Sequence, residues 1–187
     1  ATPAHPYTQK LLNSEPAGDP VQLPEQAVRL LNVNQLQVAF PIRKGIFKRV
    51  VDQNVVVNDV SFNLRAGETL GLVGESGSGK STTGKAIVGV EKVTSGQILY
   101  KGVDVTKASN RKKLNYNKDV QMIFQDSLSS LNPKKRIKDI ISEPLKNFEK
   151  LKGEELQARV REIIKIVGMD EDSLYKYPHQ FSGGQRQ

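Results

Sequence analysis

Cysteine is absent from the 187 residues. That rules out disulfides, thiolate metal sites and iron–sulfur clusters in this stretch, and the usage suits a cytosolic protein. Long apolar runs are absent too. None approaches the roughly 18–20 residues of a membrane span, and no signal-peptide pattern is visible, so the chain is not expected to cross a membrane by itself. Histidine is scarce. His5 and His179 are the only two, each isolated among prolines, and both suit turns better than catalysis or metal binding. Acid is in short supply: 20 Asp and Glu face 28 Lys and Arg, for a net charge of +8. Such a balance fits either nucleic-acid binding or a solvated basic surface near anionic headgroups or nucleotide. The clusters Arg111-Lys112-Lys113 and Lys134-Lys135-Arg136 are short and lack interleaved aromatics, which favours the solvated surface and no nucleic-acid partner.

What is present is sharper. The run Gly74-Glu75-Ser76-Gly77-Ser78-Gly79-Lys80-Ser81-Thr82 fits G-x-x-x-x-G-K-[ST], a loop that wraps nucleotide phosphates. Residues 68–73 before it suggest a short buried strand, and residues 81–88 after it can open a helix. Strand, glycine loop and helix N-terminus together make an anion site, because backbone N–H groups converge there and the helix dipole adds partial positive charge. Glycine permits backbone angles and approaches that a Cβ would block. Lys80 is a point charge for the β- and γ-phosphates, and Ser81 offers a hydroxyl to Mg²⁺. The alternative is a chance match in a glycine-rich turn, which the flanking strand and helix argue against.

The rest of the chain divides by character. Residues 1–27 carry Pro3, Pro6, Pro16, Pro20 and Pro24 and suggest a tail or linker, with a short turn at Thr8-Gln9-Lys10-Leu11-Leu12. Residues 30–40 alternate as a strand, residues 41–51 suggest a basic loop around Gly45, and residues 55–57 and 60–64 suggest strand again. A strand follows at residues 97–100. The apolar run at residues 120–124 is short enough for another, buried one. Beyond it the periodicity turns helical. Ile137, Ile140, Ile141, Leu145 and Phe148 form one stripe, bent or restarted at Pro144. Leu156, Val160, Ile163, Ile164 and Val167 form a second, with Gly168 as its C-cap.

Near the end stands Phe181-Ser182-Gly183-Gly184-Gln185, a loop able to meet phosphate through backbone N–H and a hydroxyl, or equally an ordinary serine–glycine turn. It follows the first loop by roughly a hundred residues, with Gln125 ending a strand between them. This ordered set resembles the ATP-binding cassette (ABC) ATPases. Residues 74–82 match the Walker A motif, Gln125 the Q-loop glutamine, and Ser182, Gly183, Gly184 and Gln185 the signature motif, with Phe181 where leucine is commoner. Phe40 falls where that family places an adenine-stacking aromatic, although a strand-end Phe is equally a core residue. Ser129-Ser130-Leu131-Asn132-Pro133 and Tyr177-Pro178-His179-Gln180 resemble the oligopeptide/dipeptide importer branch. His5-Pro6-Tyr7-Thr8-Gln9-Lys10-Leu11-Leu12 resembles the end of a preceding cassette, as in importers that carry two cassettes in one chain.

The resemblance implies an α/β P-loop NTPase fold, with an antiparallel β subdomain and a helical subdomain at about residues 126–180. It implies ATP and Mg²⁺ as ligands. Residues 74–82, Gln125 and Phe40 would serve one nucleotide, with Lys80 and Gln125 acting at the γ-phosphate and Ser81 and Gln125 at the metal. Residues 182–185 would serve the nucleotide of a partner cassette. Transmembrane permease subunits, and indirectly a peptide-binding protein, are the other implied partners, at the cytoplasmic face of a bacterial inner membrane. The family's Walker B strand and acidic pair lie beyond Gln187, so the expectation is a domain incomplete at its C-terminus, with strand edges lacking a neighbour and no turnover by this stretch alone. A non-hydrolysing ATP-binding module and a nucleic-acid-acting ABC ATPase are the competing readings. The latter would bring zinc-binding cysteines or long heptads, which this chain lacks.

Overall fold

The structure, a computed structural model, describes residues 8–9, 23–24, 26–46, 48–125 and 130–186. The expected tail at residues 1–27 lies largely outside them. Of its short turn only Thr8 and Gln9 are described, both helical.

Four strands form one antiparallel sheet: β1 (Arg29–Lys44), β2 (Arg49–Arg65), β3 (Ser95–Tyr100) and β4 (Val103–Asp104), in the order β2-β1-β3-β4. The inward face of β1 changes parity along its length. Leu31 and Val33 point in, and then Leu36 and Val38 do. The switch is a β-bulge at Gln35, whose φ of 45° is left-handed and whose N–H donates to Ser61 Oγ at 2.8 Å. One extra residue therefore keeps apolar side chains on the core face across an otherwise broken alternation.

Helix α1 (Lys80–Ile87) packs on this sheet through Ala86 and Thr83. Two short helices, α2 (Ala108–Lys113) and α3 (Tyr116–Asp119), complete the first core. Tyr116 is its largest fully buried side chain. Its ring meets Tyr100 edge-on at 5.1 Å, and its hydroxyl donates to Ile87 O at 2.9 Å, which ties the 101–119 segment to the end of α1. Burial pushes the Tyr116 phenol up to about 12, with the nearby Arg111 guanidinium opposing.

A second core is helical. It comprises α4 (Ile137–Pro144), a π turn (Leu145–Glu149), α5 (Gly153–Ile166) and a 3-10 turn (Glu171–Tyr175). Leu145, Leu156, Val160, Ile164 and Leu174 are buried together, with Ile137, Ile141, Ile163 and Met169 against them. The chain leaves α5 through a Schellman motif: Met169 N donates to Ile164 O at 3.1 Å and Gly168 N to Lys165 O at 2.9 Å, with Gly168 at φ 72°.

Several expectations need correction. Residues 41–51 are not a loop; the β1–β2 ladder runs through them as far as Lys44 and Arg49. Proline is tolerated at position 41 because that stretch of β1 has a neighbour on one side only. Residues 68–73 and 120–124 are not strands. Leu70, Leu72, Val73 and Ile123 are exposed, Val73 at 91%. A strand needs a ladder, and among the described residues nothing pairs with either segment. Two stripe positions are not packing positions. Val167 lies one residue past α5 and Phe148 sits in the π turn, where the helical phase is lost, and both face solvent.

Candidate functional site

The glycine loop reaches α1 by a left-handed step at Gly79, φ 91°. A Cβ there would stand 2.5 Å from Val56 O, so only glycine lets the loop lie this close to β2. Gly79 O accepts from Thr83 N at 2.8 Å and from the buried Thr83 hydroxyl at 3.0 Å. That is the first bond of the helix. The N–H groups of Lys80, Ser81 and Thr82 precede it and have no helical acceptor, which makes this end of α1 a cluster of donors.

Lys80 curls back over the loop. Its Nζ donates to Gly74 O and Glu75 O, both at 2.6 Å, and lies 3.4 Å from Ser78 Oγ. Ser78 N also donates to Glu75 O at 3.2 Å. The ammonium thus braces the turn whose amides surround it. A cavity of about 490 Å³ opens above, lined by Val56, residues 76–82 and Gln125. Gln125 arrives from the irregular segment before it and is exposed.

Among the described residues the lining has one cation, several backbone and hydroxyl donors, one carboxamide and no carboxylate. That donor set suits a polyanion. A hard divalent cation bound with such an anion would find oxygen ligands in the Ser81 hydroxyl and the Gln125 carbonyl. Among the described residues no cluster of His, Cys, Asp and Glu could hold a metal on its own.

The structure brings Ser76, Gly77, Ser78, Gly79, Lys80, Ser81, Thr82 and Gln125 to one cavity, with Gly74 and Glu75 holding the lysine. Phe40 is not in that lining. It stands on β1 opposite Asn54, partly exposed. Nor are Ser182, Gly183, Gly184 and Gln185. They open a short helix, α6 (Gly183–Arg186), on the helical side of the molecule. There Ser182 N donates to Gln185 Oε1 at 3.0 Å and Gln185 N to Ser182 Oγ at 3.4 Å, a reciprocal capping box. Arg186 Nε donates to Pro178 O at 2.7 Å and Phe181 is buried, so both anchor this exposed turn. Sequence reasoning missed Val56 and Thr83. Val56 gave only a strand signal, and Thr83 read as one more polar helix residue.

The model of the ABC transporter family matches residues 57–187. Over its whole length the chain is 54% identical to YejF of Escherichia coli K12, described as an uncharacterised ABC transporter ATP-binding protein, and covers 35% of it. It is 56% identical, over 84% of its length, to the oligopeptide transport ATP-binding protein OppF of Lactococcus lactis IL1403, and covers 50% of that protein. A glutathione import ATP-binding protein, GsiA of Escherichia coli O6:H1, is 44% identical over the same share and is covered to 25%. The chain therefore spans between a quarter and a half of these relatives. The dimeric ATP-binding cassette MJ0796, in a post-hydrolysis state with ADP and Pi, shares the fold: TM-score 0.69 at 23% identity, over 84% of this chain and 65% of that one.

Proposed function

The chain belongs to the ABC transporter family of ATP-binding proteins, and from that premise we propose that it forms an ATP-binding cassette that energises peptide import. The observation that carries the proposal is the cavity that joins residues 76–82 to Gln125, with Lys80 and the first amides of α1 facing it. ATP supplies the charge that this donor set matches, and the Ser81 hydroxyl and Gln125 carbonyl would hold a Mg²⁺ ion, which would supply charge neutralisation to the phosphates. Lys80 exchanges its two loop carbonyls for the β- and γ-phosphates. Gln125, at the rim, reports the γ-phosphate to the helical region that begins near residue 126. Phe40 provides a stacking face for the base.

Ser182 and residues 183–185 serve the nucleotide of a second cassette, in the same chain or a dimer. Their exposure on the helical side suits a role across an interface. Permease subunits receive the motion of the helical region at the cytoplasmic face of the inner membrane, and a peptide-binding protein delivers cargo on the far side. The peptide assignment leans on relatives named for oligopeptide transport and glutathione import.

A second reading is a nucleotide-binding module without turnover; among the described residues no carboxylate lines the cavity to polarise water. Nucleotide titration and phosphate release on the intact protein decide between them. Lys80→Ala removes a charge-assisted contact of about 1.5–3 kcal/mol, so ATP affinity falls roughly 10- to 150-fold. Unchanged affinity refutes the site. Binding without steady phosphate release, with its partners present, leaves the module.

A further inference from the structure

We propose that the tip of the β1–β2 hairpin is a contact for an anionic lipid surface. Beyond Gln37 the third strand no longer pairs with β1, and the last link on that side is the Ala39 N–H donated to Thr94 Oγ1 at 2.8 Å. From Phe40 opposite Asn54 to Lys44 opposite Arg49 the two strands pair only with each other. At about 3.3 Å per residue this ribbon projects roughly 15 Å from the sheet.

Its chemistry is mainly basic. Arg43, Lys44, Lys48 and Arg49 lie at the tip, and the one acid on the ribbon, Asp52, stands behind them opposite Ile42, where its carboxylate accepts from Gln53 N at 2.7 Å. Lys44 and Arg49 stand directly opposite each other, a like-charge pairing that weakens a ladder. Among the described residues no ion pair or hydrogen bond engages any of these four side chains. Aliphatic side chains stand among them: Ile42 at 38% exposure, Val50 and Val51 at 54%, and Ile46 at 96% on the turn itself.

A fold gains nothing from a fully exposed isoleucine beside mutually repelling cations. An anionic bilayer accommodates both, since phosphates at the headgroup level take the Arg and Lys while the acyl boundary takes Ile46. Nucleic acid would neutralise the cations but leave the aliphatics in water. The charge and the exposed aliphatic area together therefore select the lipid surface. This contact does not depend on the nucleotide site.

The test is co-sedimentation of the intact protein with vesicles of phosphatidylcholine, alone or mixed with phosphatidylglycerol, at low and high salt. The protein should prefer the anionic vesicles and lose that preference with salt. Each cation near such a surface strengthens binding about fivefold, so the double variant Lys44→Gln/Arg49→Gln should bind about 25-fold more weakly. Ile46→Ser should weaken binding at both salt concentrations. Among the described residues the Lys44 and Arg49 side chains make no hydrogen bond or ion pair and Ile46 is almost fully exposed, and ATP affinity serves as the check that the variants are folded. Equal binding to neutral and anionic vesicles overturns the proposal. So does a double variant within threefold of the parent, or a hairpin-dependent preference for a single-stranded oligonucleotide over the vesicles.

Discussion

Gly79 and Gly77 make a controlled pair. Both are left-handed, at φ 91° and 84°, so alanine at either pays a similar conformational penalty of about 1–2 kcal/mol. Their surroundings differ. A Cβ on Gly77 meets nothing within 4 Å, whereas one on Gly79 comes to 2.5 Å from Val56 O and 3.3 Å from Val57 Cγ2. Neither neighbour retreats cheaply, because Val57 is buried and paired with Val38 in the central ladder. The loop itself must move, by about 1 Å, and overpacking of that kind costs roughly a further 1–3 kcal/mol. Gly79→Ala should therefore destabilise by about 2–5 kcal/mol and Gly77→Ala by only about 1–2 kcal/mol. Urea unfolding of the nucleotide-free intact protein, followed for both variants in parallel, measures the gap. Midpoints that translate to the same free energy, within about 0.5 kcal/mol, would refute the argument that β2 dictates glycine at position 79.

Tyr116→Phe removes the bond to Ile87 O while keeping the ring, and should cost about 1–2 kcal/mol in denaturant unfolding. The same residue sets an alkaline limit. Its folded pKa of about 12 exceeds the ordinary 10.0, so its contribution is present below pH 10 and is lost as pH rises towards 12; the Phe variant should show a shallower alkaline decline. Asp119 acts at the acid end. Hydrogen bonds from Lys101 at 3.1 Å and from the Tyr100 hydroxyl at 2.9 Å hold its carboxyl below the ordinary 3.8. Its contribution is thus present above pH 3.8 and is lost as pH falls through the lower folded value, and Asp119→Asn should flatten that part of a stability–pH curve. In the helical core, Ile164→Ala should cost about 2–5 kcal/mol by opening a cavity at a fully packed position, read as a lower thermal midpoint.

The parts legible in the sequence were those governed by local rules. The glycine–lysine loop announces itself because the chemistry demands fixed residue types at fixed spacing. The core face of α5 follows from 3.6-residue periodicity, and its exit at Gly168 from the need for a left-handed residue. The parts that were not legible depend on partners distant in sequence. Leu70, Leu72 and Val73 have every local mark of a strand, but a strand exists only with a ladder beside it. Tyr116 sits in the polar run Asn115-Tyr116-Asn117-Lys118, where no pattern marks it as the most deeply buried aromatic. The β-bulge at Gln35 hides in a similar way, because it shifts the inward parity midway along a strand. At the site, the loop was readable, but its seating against Val56 was a matter of tertiary approach alone.

The capping box at Ser182 constrains how that serine meets anything outside the fold. Its oxygen accepts from Gln185 N, and the Gln185 side chain is turned inward onto Ser182 N. The hydroxyl proton is not used by either bond. The cap thus engages one of the two lone pairs of Ser182 Oγ and leaves its hydroxyl proton free to donate outside the helix. Replacing the serine with Asp would preserve the helix cap yet remove that donor, so helix stability and the handling of an approaching anion become separable properties of one side chain.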